Sequence, residues 1–413
     1  MKKIAVIIAL AAFALSASAQ LRLDNAKNYA NPKKGYYDKA KIEIDAACED
    51  ESTKNNAEVW AWKGLIYCRL GESDKPKHQK VTPANWADIA YEAALKSKEL
   101  NTEKEASIID LNNAVFKTVA GRFIEEAYAD YEKAGESNDT AVANPLYKSC
   151  IAKVDKGVKI FQSAGATNDK DIKASLNYAR FIGGAAARAI GDNKSCVKFY
   201  KPLVKAKYDK AYVYQSLVTI YLNDKDTVEA MKVAKTFTEN QPDDLSSYIL
   251  AAKVSAGAKN MDNAKSYANK AIEKSATIQD PAQRSNFLSS VADIYTDMMD
   301  YETAVKEFNH ALEISPNNPM VYNGLGRLYF NKGFDIKQQA DALPFDQTEK
   351  YDELLAQAKV EFEEAIKMYK KSLDINDKST RELIQRYAEA LRGLKHIYVS
   401  LNKPMDDLKV YEQ

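Results

Sequence analysis

The sequence predicts an all-α protein built from repeated helix pairs, and three observations support this prediction. Small and aromatic residues recur at a fixed spacing. Once a leader of 19 residues is removed, 413 − 19 = 394 residues remain, more than a single hydrophobic core normally serves. The chain has only 15 Gly and 11 Pro, and no Gly/Ser-rich or Pro-rich stretch separates globular domains. A repeat array explains the length and the composition together.

The first residues, MKKIAVIIALAAFALSASAQ, have the composition of a secretory signal peptide. Two lysines precede an apolar run from Ile4 to Leu15, and a small-residue cleavage site ends at Ala19. The run of about 12 residues is too short for a membrane anchor, which needs roughly 20. Because the first cysteine is Cys48, a lipid anchor is not expected. We therefore expect signal peptide 1–19 to be removed and the mature chain to begin at Gln20.

The mature chain is close to electrically neutral. Removal of Lys2 and Lys3 leaves 59 − 2 = 57 basic residues against 58 acidic ones, a net charge of about −1. Such a chain has no overall field that attracts nucleic acid or an anionic membrane. Nucleic acid is therefore not an expected partner.

The repeat is clearest in four consecutive segments. Offsets of 0, 4, 7 and 12 are held by Ala304, Phe308, Ala311 and Pro316. Equivalent positions lie 40 residues earlier and then at two further steps of 34: Ala264, Ala268 and Ala271; Ala230, Ala234, Phe237 and Pro242; Cys196, Tyr200, Leu203 and Tyr208. A six-residue insertion near 276–281 accounts for the longer step. A partner helix precedes each of these helices, with its apolar residues on one face.

This spacing resembles that of the tetratricopeptide repeat family, whose signature is W-x2-L-G-x2-Y, then A-x3-F, then P. Tyr322 to Tyr329, in the order YNGLGRLY, is the nearest copy, and Trp60, Gly64 and Tyr67 give another. The resemblance implies a right-handed α-solenoid of about eight to nine helix pairs over residues 20–413. The clearest repeats are expected at 177–210, 211–244, 245–284, 285–318 and 319–379, and others near 22–50, 57–101, 105–162 and from 388.

Helix packing explains why small and aromatic residues recur at these positions. Gly326 and Ala304 leave room for two helices to approach, while Tyr322, Tyr329 and Phe308 fill the space around that contact. One helix pair cannot bury its apolar face alone, so neighbouring pairs stack into a continuous core. We therefore interpret these residues as packing residues.

Two stretches depart from the simple repeat. The helix with Ala365 comes 61 residues after the helix with Ala304, so 27 residues are inserted, and 334–360 is predicted to project as a hairpin. Residues 72–85 are a second insert, a Pro- and Lys-bearing loop inside the second repeat. The long hairpin and the ending LRGLKHIYVSLNK make the chain similar to exported tetratricopeptide proteins of Bacteroidetes bacteria, which are mostly assigned to no reaction.

The sequence contains no recognisable catalytic or metal-binding motif. His78, His310 and His396 lie in three different repeats, without an H-E-x-x-H motif or another metal-ligand spacing. Nucleophile-elbow, Walker and dinucleotide-binding motifs are also missing. Cys196 occupies a slot that alanine fills in other repeats, so we expect it to be a small buried hydrophobe. The chain is therefore expected not to be an enzyme, with no cofactor and no metal.

Because no catalytic motif is recognisable, the function is expected to depend on a binding surface. The resemblance implies that the first helix of each pair lines a concave face, where tetratricopeptide proteins generally bind peptides or extended protein segments. The predicted partner-binding residues of this face are Tyr178, Phe181, Arg188, Tyr212, Gln215, Thr219, Asn223, Lys253, Asp293, Asn323, Arg327 and Asn331. For Tyr178 and Phe181 the sequence leaves open the alternative that the side chain packs against a neighbouring helix. The complete Lys and Asn set by which some family members hold a C-terminal carboxylate is not recognisable in the sequence.

These observations favour a periplasmic scaffold that binds other envelope proteins, in envelope assembly or secretion. No integral membrane segment is expected after signal cleavage, and peripheral association with the outer membrane stays open. The alternative is a glycan- or peptidoglycan-binding protein, because aromatic side chains on a concave face can stack on sugar rings. The sequence leaves open whether the concave face or the 334–360 hairpin contacts the partner.

Overall fold

The computed structural model describes residues 20–164, 170–375, 381–401 and 409. Within these ranges the regular structure is helical and no strand occurs. The expected signal peptide, 1–19, lies outside the described residues. The chain divides into two compact units, one ending at Tyr208 and the other beginning at Asp209. None of the described helices combines the length and the apolarity that crossing a bilayer requires.

Unit 1, up to Tyr208, stacks four helix pairs in chain order. Its helices are α1 (20–30), α2 (Tyr37–Glu49), α3 (Ala57–Gly71), α4 (Pro76–Gln79), α5 (Trp86–Leu100), α6 (Ala106–Glu136), α7 (Thr140–Ser163), α8 (Lys170–Ala189) and α9 (Asn193–Lys205). The short helix α4 lies within the predicted 72–85 insert, and α3 packs against α5 beyond it.

Unit 2, from Asp209, contains four further pairs and a last described helix. Its helices are α10 (Ala211–Asn223), α11 (Thr227–Asn240), α12 (Leu245–Gly257), α13 (Met261–Ser275), α14 (Pro281–Asp297), α15 (Tyr301–Ile314), α16 (Pro319–Asp341), α17 (Thr348–Ile375) and α18 (Arg381–Ser400). Helices α16 and α17 have 23 and 28 residues, against 13 in α10 and 14 in α11. The assignment of 20–413 to one solenoid, with these repeat boundaries, stays a prediction.

The turns between paired helices are built from a recurring two-residue element. Lys225 has a left-handed backbone with φ of 60°, and the next amide, of Asp226, donates to the Tyr221 carbonyl at 2.8 Å. The Asp226 side chain then accepts a hydrogen bond from the Glu229 amide and caps α11. The same combination recurs at Gly191–Asp192, Lys259–Asn260 and Met299–Asp300.

The predicted packing residues lie in the core of unit 2. Ala304 and Phe308 are fully buried, and Tyr322 and Tyr329 pack partly buried against the same cluster. A Cβ atom added at Gly326 would lie 2.5 Å from the ring of Tyr369, so only glycine permits this approach of α16 and α17. The interpretation of these positions as packing residues is confirmed.

The four cysteines are buried as unpaired thiols. Cys196 is 0% exposed, which confirms the burial that its slot in the repeat predicted. Burial raises the pKa of Cys196 to about 11 and those of Cys48 and Cys150 to about 12. These thiols are therefore protonated at neutral pH.

Candidate functional site

A polar cavity of about 300 Å³ opens on the first helices of successive pairs in unit 2. Helix α12 contacts α14, and α14 contacts α16, so side chains three or four residues apart on each helix share this surface. We call it the Arg327 cavity; its lining residues are Lys253, Ser289, Asp293, Asp297, Met320, Asn323, Gly324, Arg327 and Arg386.

Arg327, on α16, lines the cavity and bridges to α14. Its Nη2 donates to Asp293 Oδ1 at 2.7 Å and its Nη1 to Asp297 Oδ1 at 2.8 Å. Burial lowers the pKa of Arg327, but the charge and hydrogen bond of Asp293, followed by those of Asp297, raise it above the ordinary value overall. The guanidinium is therefore permanently charged, and the two aspartates hold it across the α14–α16 contact.

Two other lining groups have no partner among the described residues. Asn323 Oδ1 is buried without a hydrogen-bond donor. The exposed ammonium of Lys253 makes no ion pair or hydrogen bond with any residue that the structure describes. Arg386, from α18, is half-buried and interacts with Tyr369, the ring behind Gly326. The cavity thus offers one unpaired cation and one unpaired acceptor.

This arrangement is suited to binding. The lining has three cations, Lys253, Arg327 and Arg386, against the two carboxylates of Asp293 and Asp297, so its formal charge is 3 − 2 = +1. The described residues contain no group of three or more His, Cys, Asp or Glu side chains placed to hold a metal ion. The lining includes one hydroxyl, that of Ser289, and no histidine, so a nucleophile activated by an imidazole base is not available in it.

The structure brings four of the predicted partner-binding residues together and leaves the others of unit 2 elsewhere. Lys253, Asp293, Asn323 and Arg327 line one cavity. On α10, the exposed residues Tyr212, Gln215 and Asn223 do not line it, and the Thr219 hydroxyl bonds the Gln215 carbonyl at 2.8 Å. Asn331 is half-buried on α16, one turn beyond Arg327, and also lies outside the cavity.

The three predicted residues of unit 1 are placed differently from one another. Tyr178 is 44% exposed, and its ring centroid lies 6.0 Å from that of Tyr128. Phe181 is half-buried and packs on Tyr200 and Tyr208, at centroid distances of 6.4 and 5.6 Å. Arg188 is half-buried, and its Nε has no hydrogen-bond acceptor. Phe181 is thus engaged in internal packing, and its role in partner binding stays a prediction.

Five lining residues were absent from the prediction: Ser289, Asp297, Met320, Gly324 and Arg386. Asp297 had a signal in the sequence, because it lies four residues after Asp293 on the same helical face. Arg386 had none, because the 27-residue insert interrupts the period before α18. The sequence did not indicate Gly324 as a lining residue because this glycine has no side chain and serves to leave space for the Phe308 ring.

The geometry defines a class of protein, the helix-pair repeat, with small residues such as Gly326 and Ala304 where two helices approach closely. Residues 292–333 match the family model described as TPR repeat. This match covers α15 and the adjoining parts of α14 and α16, and the helical fold is consistent with it. Proteins with this fold bind partner proteins and are in general non-catalytic scaffolds.

Solved tetratricopeptide structures are similar to this chain at low identity. One from Parabacteroides merdae is 15% identical, with 66% of this chain and 98% of that chain covered and a TM-score of 0.37. One from Bacteroides fragilis is 18% identical, with 66% and 97% covered and a TM-score of 0.27. YrrB, described as having an unusual peptide-binding site, is 16% identical, with 46% and 95% covered and a TM-score of 0.29. No curated protein matches the sequence.

Proposed function

We propose that the chain is a non-catalytic periplasmic scaffold that binds a segment of a partner protein in the Arg327 cavity. The observation that carries this proposal is the pair of unpartnered groups in one cavity, the Lys253 ammonium and the buried Asn323 Oδ1. A buried acceptor without a donor costs about 1 to 3 kcal/mol, so a ligand that supplies an N–H recovers that free energy.

An extended protein segment has the required chemistry. Its backbone N–H groups supply a donor for Asn323 Oδ1, and an acidic side chain supplies a carboxylate for Lys253. Met320, which is 53% exposed at the cavity, adds a flexible apolar contact. The proposed partner segment is therefore extended and acidic.

The proposed location rests on the leader sequence. The first 19 residues have the composition of a secretory signal peptide, which supports export to the periplasm. The partner is therefore another envelope protein, in envelope assembly or secretion, and peripheral outer-membrane association through that partner fits the same proposal.

Photo-crosslinking in living cells tests the site. A benzoylphenylalanine at Met320, which lines the cavity, is compared with one at Met261, which is 39% exposed on α13 and lies outside it. We expect one envelope protein to be crosslinked from Met320 and not from Met261. Equal crosslinking from both positions would contradict the assignment of the cavity.

A charge reversal then tests the mechanism with that purified partner. Lys253→Glu is expected to weaken binding at least about tenfold, because it repels the acidic segment. Lys270→Glu makes the same charge change at an exposed position of α13 outside the cavity and should leave the affinity unchanged. The proposal fails if the two variants bind equally well.

A glycan-binding role is the second candidate, and a pair of exposed tyrosines in unit 1 favours it. Tyr128 and Tyr178 are 38% and 44% exposed, with adjacent rings. The hydrogen bond and charge of Glu132 raise the pKa of Tyr128 to about 12. Exposed aromatic faces beside a carboxylate suit the C–H face and the hydroxyl groups of a sugar. Loss of soluble peptidoglycan-fragment binding in Tyr178→Ala, but not in Tyr212→Ala, would support this role.

A further inference from the structure

Unit 1 contains a larger cavity of about 480 Å³, where α5 ends, α6 begins and α7 ends. Its volume lies within the range of about 300 to 1,000 Å³ typical of small-molecule sites. We call it the Asn112 cavity; its lining residues are Lys98, Asn101, Lys104, Ile109, Asn112, Asn113, Phe116, Ser163 and Ala164. None of these residues belongs to the Arg327 cavity.

The hydrogen bonds around Asn112 fix the orientation of its amide. Ser97 Oγ donates its only proton to the Ala57 carbonyl at 2.8 Å. The Ser97 oxygen can therefore only accept from Asn112, and the Asn112 atom 3.0 Å away must be Nδ2. Asn112 Oδ1 consequently points away from this chain of hydrogen bonds. Asn112 is only 3% exposed, and its Oδ1 has no donor.

Unit 2 contains the same network with its acceptor satisfied. There Ser285 Oγ donates to the Ala311 carbonyl, and Asn318 Nδ2 donates to Ser285 Oγ, both at 2.8 Å. Asn318 Oδ1 accepts the Met320 amide at 3.0 Å and caps α16. Asn112 lies inside α6, where the nearby amides are used by the helix, so its Oδ1 lacks such a donor. The unsatisfied acceptor therefore follows from the position of Asn112 inside a helix, and it belongs to a residue that lines the cavity.

The rest of the lining indicates what a ligand must contain. The ring of Phe116, which is 1% exposed, and the side chain of Ile109, which is 41% exposed, give apolar walls at the floor and the mouth. The lining has two cations and no carboxylate. Lys98 Nζ donates to the Ser163 carbonyl at 2.8 Å, whereas the exposed Lys104 ammonium has no partner among the described residues.

We propose that the Asn112 cavity binds a small organic anion in which an apolar body joins a carboxylate to an N–H or O–H donor. The donor bonds Asn112 Oδ1, the apolar body packs on Phe116 and Ile109, and the carboxylate pairs with Lys104. This ligand site belongs to unit 1 and shares no lining residue with the Arg327 cavity.

Isothermal titration calorimetry of the mature chain with three related compounds tests the chemistry. N-acetylleucine contains all three elements, N-acetylleucinamide lacks the carboxylate, and isocaproate lacks the N–H. We expect N-acetylleucine to bind with a stoichiometry of one, and each analogue to bind about tenfold more weakly. Equal affinity for the three compounds, or no saturation of N-acetylleucine below about 10 mM, would overturn the proposal.

A lysine pair on the protein locates the bound anion. Lys104→Gln removes the lining charge and should weaken N-acetylleucine binding about tenfold, with little effect on N-acetylleucinamide. Lys117→Gln makes the same change at an exposed position of α6 that does not line the cavity, so it should bind like the wild-type chain. Both variants alter exposed side chains, so folding is expected to be retained. An unchanged affinity in Lys104→Gln would show that the anion binds elsewhere.

Discussion

Replacement of Gly326 with alanine is expected to make unit 2 less stable than the control replacement Gly257→Ala by about 1 to 3 kcal/mol. The new Cβ would lie 2.5 Å from two ring carbons of Tyr369, about 1 Å inside ordinary carbon contact. Tyr369 is 1% exposed, so its ring can move only by displacing α17 or its own neighbours. Overpacking of this kind costs about 1 to 3 kcal/mol, whereas the helix propensity that alanine regains, up to about 1 kcal/mol, is common to both variants and cancels in their comparison.

Gly257 is the matched position because it also lies in a first helix, at the end of α12, and has no atom within 4 Å of an added Cβ. Urea and thermal unfolding followed by circular dichroism would compare the two variants. For a unit of 413 − 208 = 205 residues, 1 kcal/mol corresponds to a change of about 2 to 4 °C in Tm. A Gly326→Ala variant as stable as Gly257→Ala would show that α16 and α17 do not approach at this glycine.

Three further outcomes are expected. Lys225→Gly should raise the free energy of unfolding by about 0.5 to 1 kcal/mol, measured from the urea midpoint, because φ of 60° strains any residue with a Cβ. Burial and then the charge of Lys77 lower the pKa of His78, although the charge of Asp38 opposes them. The free energy of unfolding should therefore fall as the pH drops below about 6.5, because the unfolded chain binds the proton more readily. A pH profile parallel to that of His78→Gln would contradict this. Cys196 should react with dithionitrobenzoate only after urea unfolding, and rapid labelling of the native chain would contradict its burial.

The packing of unit 2 was predictable because steric rules act at fixed positions along a helix. Small residues such as Ala304 and Gly326 are needed where two helices approach closely, and a large residue such as Phe308 fills the space beside that contact. The same 34-residue period located Asp293 and Arg327 at equivalent positions of neighbouring first helices, and the structure joins them by a 2.7 Å hydrogen bond. Periodicity therefore indicated the surface, although it did not indicate the ion pair.

The remaining features depend on interactions that no local pattern records. The sequence left open whether Phe181 lines the concave face or packs against a neighbouring helix. Gly184 lets the Tyr200 ring approach α8, and Phe181 stacks beside that ring. The unpaired oxygen of Asn112 is invisible in sequence because it results from a three-residue chain of hydrogen bonds. The sequence does not show whether the side-chain oxygen of an asparagine accepts a hydrogen bond, because this depends on which donors lie near it in three dimensions.

The contacts of Arg327 explain why the proposed partner-binding cavity is better tested through Lys253 than through Arg327 itself. The guanidinium is already engaged by Asp293 and Asp297, so a partner carboxylate has to displace an existing ion pair, and exchange of one partly exposed pair for another gains little. A carboxylate that pairs with Lys253 forms a new contact without breaking an old one. Affinity should therefore depend mainly on Lys253, whereas Arg327 fixes the separation of α14 and α16 and with it the width of the cavity.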